Sequence, residues 1–83
     1  MTTKSVNSEE STIESVRTGE GWFEVAIDRT INTGNFENLK WHLLAGRSLR
    51  EGETHRQAIL STRDGLYEVL VETETAARAD LGV

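Results

Sequence analysis

Residues 22–45 read WFEVAIDRTINTGNFENLKWHLLA, and the spacing of their apolar side chains decides the fold. Phe23, Val25, Ile27 and Ile31 alternate with Glu24, Asp28 and Thr30, the period-two pattern of a strand buried on one side. Arg29 is the one charged residue in that apolar row. In a second strand Leu39, Trp41 and Leu43 alternate with Asn38, Lys40 and His42. The NTGN string at 32–35 between them is a turn. A loop with an even number of residues would pair Ile31 with Phe36 and put the two apolar rows on opposite faces. An odd loop, with Gly34 in the left-handed conformation, pairs Val25 with Leu43, Ile27 with Trp41 and Arg29 with Leu39, and the rows coincide. It also sets Asp28 opposite Lys40, an opposite-charge pair, and Thr30 opposite Asn38. The odd loop is the expectation, and it leaves an outer face of Glu24, Asp28, Thr30, Asn38, Lys40 and His42. Sheets that bind single strands display exposed aromatics for bases to stack on; here only Trp22 and Phe36, near the strand ends, are available.

Beyond the hairpin, GRSLREGE reads as a loop. Thr54, followed three residues later by Gln57, then matches a helix N-cap with its reciprocal partner. Glu51 and Glu53 just before it suit the positive end of a helix. Ile59, Leu66, Leu70, Ala77 and Leu81 recur at helical spacing, and Leu60, Tyr67 and Val71 widen the stripe. A helix over about 54–80 would be roughly 40 Å long, longer than a hairpin of six to nine residues per strand covers. Asp64-Gly65 is a competing hairpin signal, and Gly65 costs a helix about 1 kcal/mol relative to Ala. The cap and the stripe agree with each other, and the helix is preferred.

Upstream, residues 1–20 are rich in Ser, Thr and Glu, with Ile13 and Val16 the only apolar residues between Val6 and Trp22. Such a segment buries too little surface to offset its ordering entropy. It is expected to be a flexible acidic arm, with the functional alternative that it folds on a partner or adds a strand to a sheet edge. Gly19 and Gly21 mark the boundary. The expected fold class is α+β: an arm over 1–20 and a single ββα domain over 21–83. One hairpin under one helix leaves two open edges and is marginal alone, which predicts completion by a second copy, a homodimer.

The 83 residues hold no cysteine, so disulfides and Cys-based zinc sites are excluded, and a cytoplasmic location is expected. No stretch reads as a signal peptide or a bilayer span. The only histidines are His42 and His55. Glu51 and Glu53 near His55 form no metal-ligand spacing, and both histidines read as solvated residues, one on the outer strand face and one in the first helical turn. No nucleophile elbow and no phosphate-cradling glycine run is present. No cofactor and no catalytic residue is expected, and the reading is non-enzymatic.

The net charge of −5 is unevenly spread: −3 over residues 1–24, +2 over 25–63 and −4 over 64–83. Two sets of side chains follow. Asp64, Glu68 and Glu72, four apart, line one side of the helix and would dock on a basic surface of a protein that handles nucleic acid; the plainer reading is a solvating face. Lys40, Arg47, Arg50, Arg56 and Arg63 in the basic middle would track a nucleic-acid backbone, with Trp22 or Phe36 stacking on a base; the plainer reading is surface cations paired with nearby acids.

The string IDRTINTGNFENLKW resembles small proteins encoded by bacteriophages and other mobile elements, through Arg29, Thr30, Ile31, Asn32, Gly34, Asn35, Phe36, Glu37, Leu39 and Lys40. The resemblance implies a phage-like setting and transfers no functional residue. The sequence thus favours a phage-borne, dimeric binding protein acting as inhibitor or adaptor of a host complex. Direct binding of single-stranded nucleic acid is the runner-up, and a virion structural component the third reading.

Overall fold

The computed structural model describes residues 10–32 and 38–82. Its elements are β1 (Ser11–Gly19), β2 (Trp22–Asn32), β3 (Asn38–Ser48) and α1 (His55–Leu81). The strands form one antiparallel sheet in the order β1-β2-β3, and the helix lies on one face of it, chiefly over β2 and β3. The class is α+β.

The central strand carries the core because its apolar row sits between two neighbours and under the helix. Phe23, Val25, Ile27 and Ile31 are fully buried. Ala58 of α1 packs against Phe23 and Val25, with Leu49, Ile59 and Leu66 beside them, and Leu70 of α1 is buried as well. The expected coincidence of apolar rows holds, but the register is displaced by two residues. Val25 pairs with Ala45, Ile27 with Leu43, Arg29 with Trp41 and Ile31 with Leu39. On the outer face Asp28 lies opposite His42, and Thr30 opposite Lys40, in place of the expected Asp28–Lys40 and Thr30–Asn38 pairs. A shift of two keeps every side chain on its face. It also extends the ladder to Asn32–Asn38, so that Ile31 is buried opposite Leu39 and not spent on the turn. The turn itself, with Gly34 and Phe36, lies outside the described residues.

The larger correction is at the N-terminal side. Residues 11–19, expected within a flexible arm, are a nine-residue strand paired with β2 from Ser11–Thr30 to Gly19–Trp22. The alternative reading, a strand added to a sheet edge, describes these residues, and the edge is the chain's own. Gly19, which ends β1, and Gly21 make its turn. Gly21 adopts φ 75°, a left-handed conformation that L side chains disfavour. Gly19 leaves room for the Trp22 indole, whose Nε1 would lie 1.9 Å from a Cβ placed there. Residues 1–9 lie outside the description.

The helix begins as expected. The Thr54 side chain accepts from the Gln57 backbone N–H at 3.1 Å, and the Gln57 side chain accepts from the Thr54 N–H at 3.0 Å. It runs for 27 residues through Asp64-Gly65 to a left-handed cap at Gly82, so the second hairpin does not form. The strands β2 and β3 have 11 residues each, about 36 Å at ~3.3 Å per residue. That is close to the roughly 40 Å length of the helix. The stripe is narrower than expected: Leu60 and Val71 are exposed, as is Leu81 at the end. The loop expected from Gly46 starts later, because β3 continues to Ser48.

Candidate functional site

The acidic set is assembled as a ridge. Asp64, Glu68 and Glu72 are all exposed, spaced one helical turn apart on the side of α1 turned away from the sheet. Among the described residues none of the three side chains makes a hydrogen bond or an ion pair, and Asp64 acts on Arg63 only through its charge. A single straight element presents three carboxylates at a pitch of about 6 Å.

The basic set is dispersed. Lys40 stands on the outer face of the sheet, while Arg47, on β3, has its guanidinium carbon 5.2 Å from the centre of the buried Phe23 ring. Arg47 is also held in a two-point contact by Glu53, at 2.7 and 2.9 Å, and so closes that end of the core. Glu53, expected to sit at the positive helix end, is occupied there, and it further accepts the Arg50 backbone N–H at 3.0 Å. These donors hold its carboxyl down to about 2. Arg63 faces β1. Arg50 and Arg56 are exposed, and Trp22 lies over Gly19 at the turn, beside a shallow hollow of about 450 Å³ over Gly46. Phe36 lies outside the described residues. Among the described residues, Arg47 and Arg63 are engaged by carboxylates, while Lys40, Arg50 and Arg56 are exposed.

Two clusters bridging β1 and α1 were not visible in the sequence. In the first, Arg29 donates through Nε to Glu74 at 2.7 Å and through its terminal nitrogens to Glu74, Glu10 and Thr12 at 3.2, 3.0 and 3.2 Å. Arg78 closes the ring, donating to Glu74 at 3.0 Å and Glu10 at 2.8 Å. The two guanidiniums hold both carboxyls below their usual range, Arg78 chiefly at Glu10 and Arg29 chiefly at Glu74. In the second, Glu14 accepts two bonds from Arg63, at 2.6 and 3.2 Å, and one from the Tyr67 hydroxyl at 2.5 Å. Its carboxyl is pulled down to about 2, by Arg63 first and Tyr67 second. A signal was present: Arg29 in an apolar row needs a partner, and Glu10, Thr12 and Glu14 alternate with period two.

His42 is on the outer face as expected, with Nδ1 2.6 Å from Asp28. His55, expected to be solvated, is half-buried, and its Nε2 lies 2.9 Å from the Gly19 carbonyl, tying the β1–β2 turn to the helix start. Among the described residues no group of three or more His, Asp or Glu side chains is placed to hold a metal ion. Nor is any helix among them long and apolar enough to cross a membrane. Comparison with family models, with curated proteins and with solved structures finds no match.

Proposed function

We propose that this is a non-enzymatic binding protein that works by contact with another protein, as inhibitor or adaptor of a complex that handles nucleic acid. The observation that carries the reading is the concentration of exposed acidic charge on one face of the helix. Arg29, Arg47, Arg63 and Arg78 are taken up by internal carboxylates, whereas Asp64, Glu68 and Glu72 stand exposed on one rigid helix. Such a ridge complements the basic surface that grips a nucleic-acid backbone, and charge of that kind steers association and discriminates partners. The resemblance of residues 29–40 to phage-encoded proteins supports a setting in the cytoplasm of a host cell. Two copies are part of the proposal. Among the described residues the outer edge of β3 has no strand beyond it, and its inward side chains Leu39, Trp41 and Leu43 are only half-buried.

The test is capture from a host lysate with the full chain and with the Asp64→Lys/Glu68→Lys/Glu72→Lys variant, alongside light scattering for mass. The expected result is a nucleic-acid-handling complex retained by the first and lost by the second. Binding of single-stranded oligonucleotide that weakens steeply with salt and is lost on replacing Lys40, Arg50 and Arg56 would overturn it in favour of direct nucleic-acid binding.

A further inference from the structure

We infer that a second copy joins at the edge of β3: the two β3 strands pair antiparallel, His42 opposite His42, and fuse the two sheets into one. The inference rests on the two-copy reading above and specifies the joining surface and its register. The two edges of the sheet differ. At the β1 edge the inward side chains Glu10, Thr12 and Glu14 are polar, and each already bonds to a group on β2 or α1. A second β1 beside them would bring carboxylates together, which repel. At the β3 edge the inward row Leu39, Trp41, Leu43 and Ala45 is half-buried and uncharged. A strand that brings the same row covers it without taking an ion out of water.

The backbone sets the register. Leu49 donates its N–H to the Gly21 carbonyl at 2.8 Å, in step with the β2–β3 ladder. Every second residue back from Leu49 to Leu39 therefore turns its N–H and C=O toward β2, and Asn38, Lys40, His42, Leu44 and Gly46 turn theirs to the outer edge. Arg47 donates to the Ser48 carbonyl at 3.1 Å and closes the edge there. The edge groups thus run over 38–46, with His42 at their middle. A twofold axis at His42, normal to the sheet, pairs Asn38 with the second copy's Gly46 and Lys40 with its Leu44. Inward positions then meet inward positions: Trp41 lies beside the second copy's Leu43, and Leu39 beside its Ala45.

The helices fit the same axis. α1 lies chiefly over β2 and β3, so the two helices stand about 10 Å apart, two strand spacings, which is a distance at which helices pack. Leu70 is buried and Val71 lines the groove on the β1 side. Val69, 48% exposed, therefore falls on the flank turned to the second helix. Its level is right as well. Glu14, in line with Ile27 and Leu43 across the sheet, bonds to Arg63 and Tyr67, just before Val69. Both ridges of Asp64, Glu68 and Glu72 then stand on the same side of the dimer, which doubles the charge offered to a basic partner.

Three variants of the full chain test this without any host protein. The sequence has no cysteine, so His42→Cys sets one thiol per copy across the axis. A hydrogen-bonded antiparallel pair holds its Cα atoms about 5.5 Å apart, within reach of a disulfide. Under mild oxidation this variant is expected to become a covalent dimer on a non-reducing gel well before Ser15→Cys, on the outer face of β1, does. His42→Pro removes an N–H that points to the edge and none that serves β2. It is expected to keep its circular dichroism and to lose the dimer by light scattering. Val69→Lys, which brings two cations together beside the axis, is expected to weaken the dimer by about tenfold and serves if His42→Pro fails to fold. An unchanged dimer in either folded variant, or cross-linking of His42→Cys no faster than Ser15→Cys, overturns the β3 pairing and leaves two copies standing. A monomer at every concentration overturns both, and loss of lysate capture by His42→Pro would then give the edge to a strand of the captured protein.

Discussion

Arg29 of β2 and Glu74 of α1, 45 residues apart, meet in a two-point contact of 2.7 and 3.2 Å with side chains only 16% and 19% exposed. A guanidinium in the middle of an apolar row is tolerated because the helix brings a carboxylate to it and the residue just before β1 brings a second, Glu10. Both charges are largely removed from water, and each depends on the other for its solvation. In a cycle of Arg29→Leu and Glu74→Leu, urea denaturation is expected to give a coupling of about 1–3 kcal/mol. Additive losses would mean that the pair is incidental.

Acid should loosen the molecule from its clasps inward. Glu14 and Glu53 are each held to about 2 against an ordinary value of 4.5. A carboxyl lowered in the folded state contributes stability that is complete above its unfolded value and is lost as pH falls through the folded one. The melting temperature should therefore hold above pH about 5 and fall between about 4.5 and 2. Glu14→Gln should lower the plateau and flatten part of the slope. An acid transition identical in that variant would show that Glu14 takes no part.

The core is expected to answer chiefly to β2. Ile27→Ala empties a fully buried position and should cost about 2–5 kcal/mol. Leu44→Ala, on the outer face and 56% exposed, should change stability by less than about 0.5 kcal/mol. Comparable losses from the two would place a covering surface on the outer face.

Gly65 is a weakness the helix tolerates. It is exposed, its φ is not left-handed and a Cβ there meets nothing within 4 Å. Gly65→Ala should stabilise the protein by about 0.5–1 kcal/mol in thermal or urea unfolding. Destabilisation would reveal a need for glycine at that turn of the helix.

What was legible followed from short-range rules. Thr54 and Gln57 are three residues apart and cap the helix without help from elsewhere. The alternation of Phe23, Val25 and Ile27 settles which side of β2 is buried. The registry of β2 with β3 lies two residues from the one that turn composition predicts, because it depends on where Ile31 finds a buried place opposite Leu39, a question of packing. The acidic ridge was readable for the same reason as the cap: Asp64, Glu68 and Glu72 share a helical face by spacing alone.

The sequence by itself thus determined the helix with its cap, the buried row of β2 and the coincidence of the two apolar rows. Only the tertiary structure decided that residues 11–19 are a strand, and which cation meets which carboxylate. Glu14 finds Arg63 across 49 positions and Glu10 finds Arg78 across 68. β1 has no apolar row of its own to announce it: its order comes from hydrogen bonds to β2 and from guanidiniums that the folded chain delivers. A local pattern is fixed by bonded geometry and burial preference along a few residues, whereas a charge pair or an edge ladder exists only once distant segments have been brought within about 3 Å of one another.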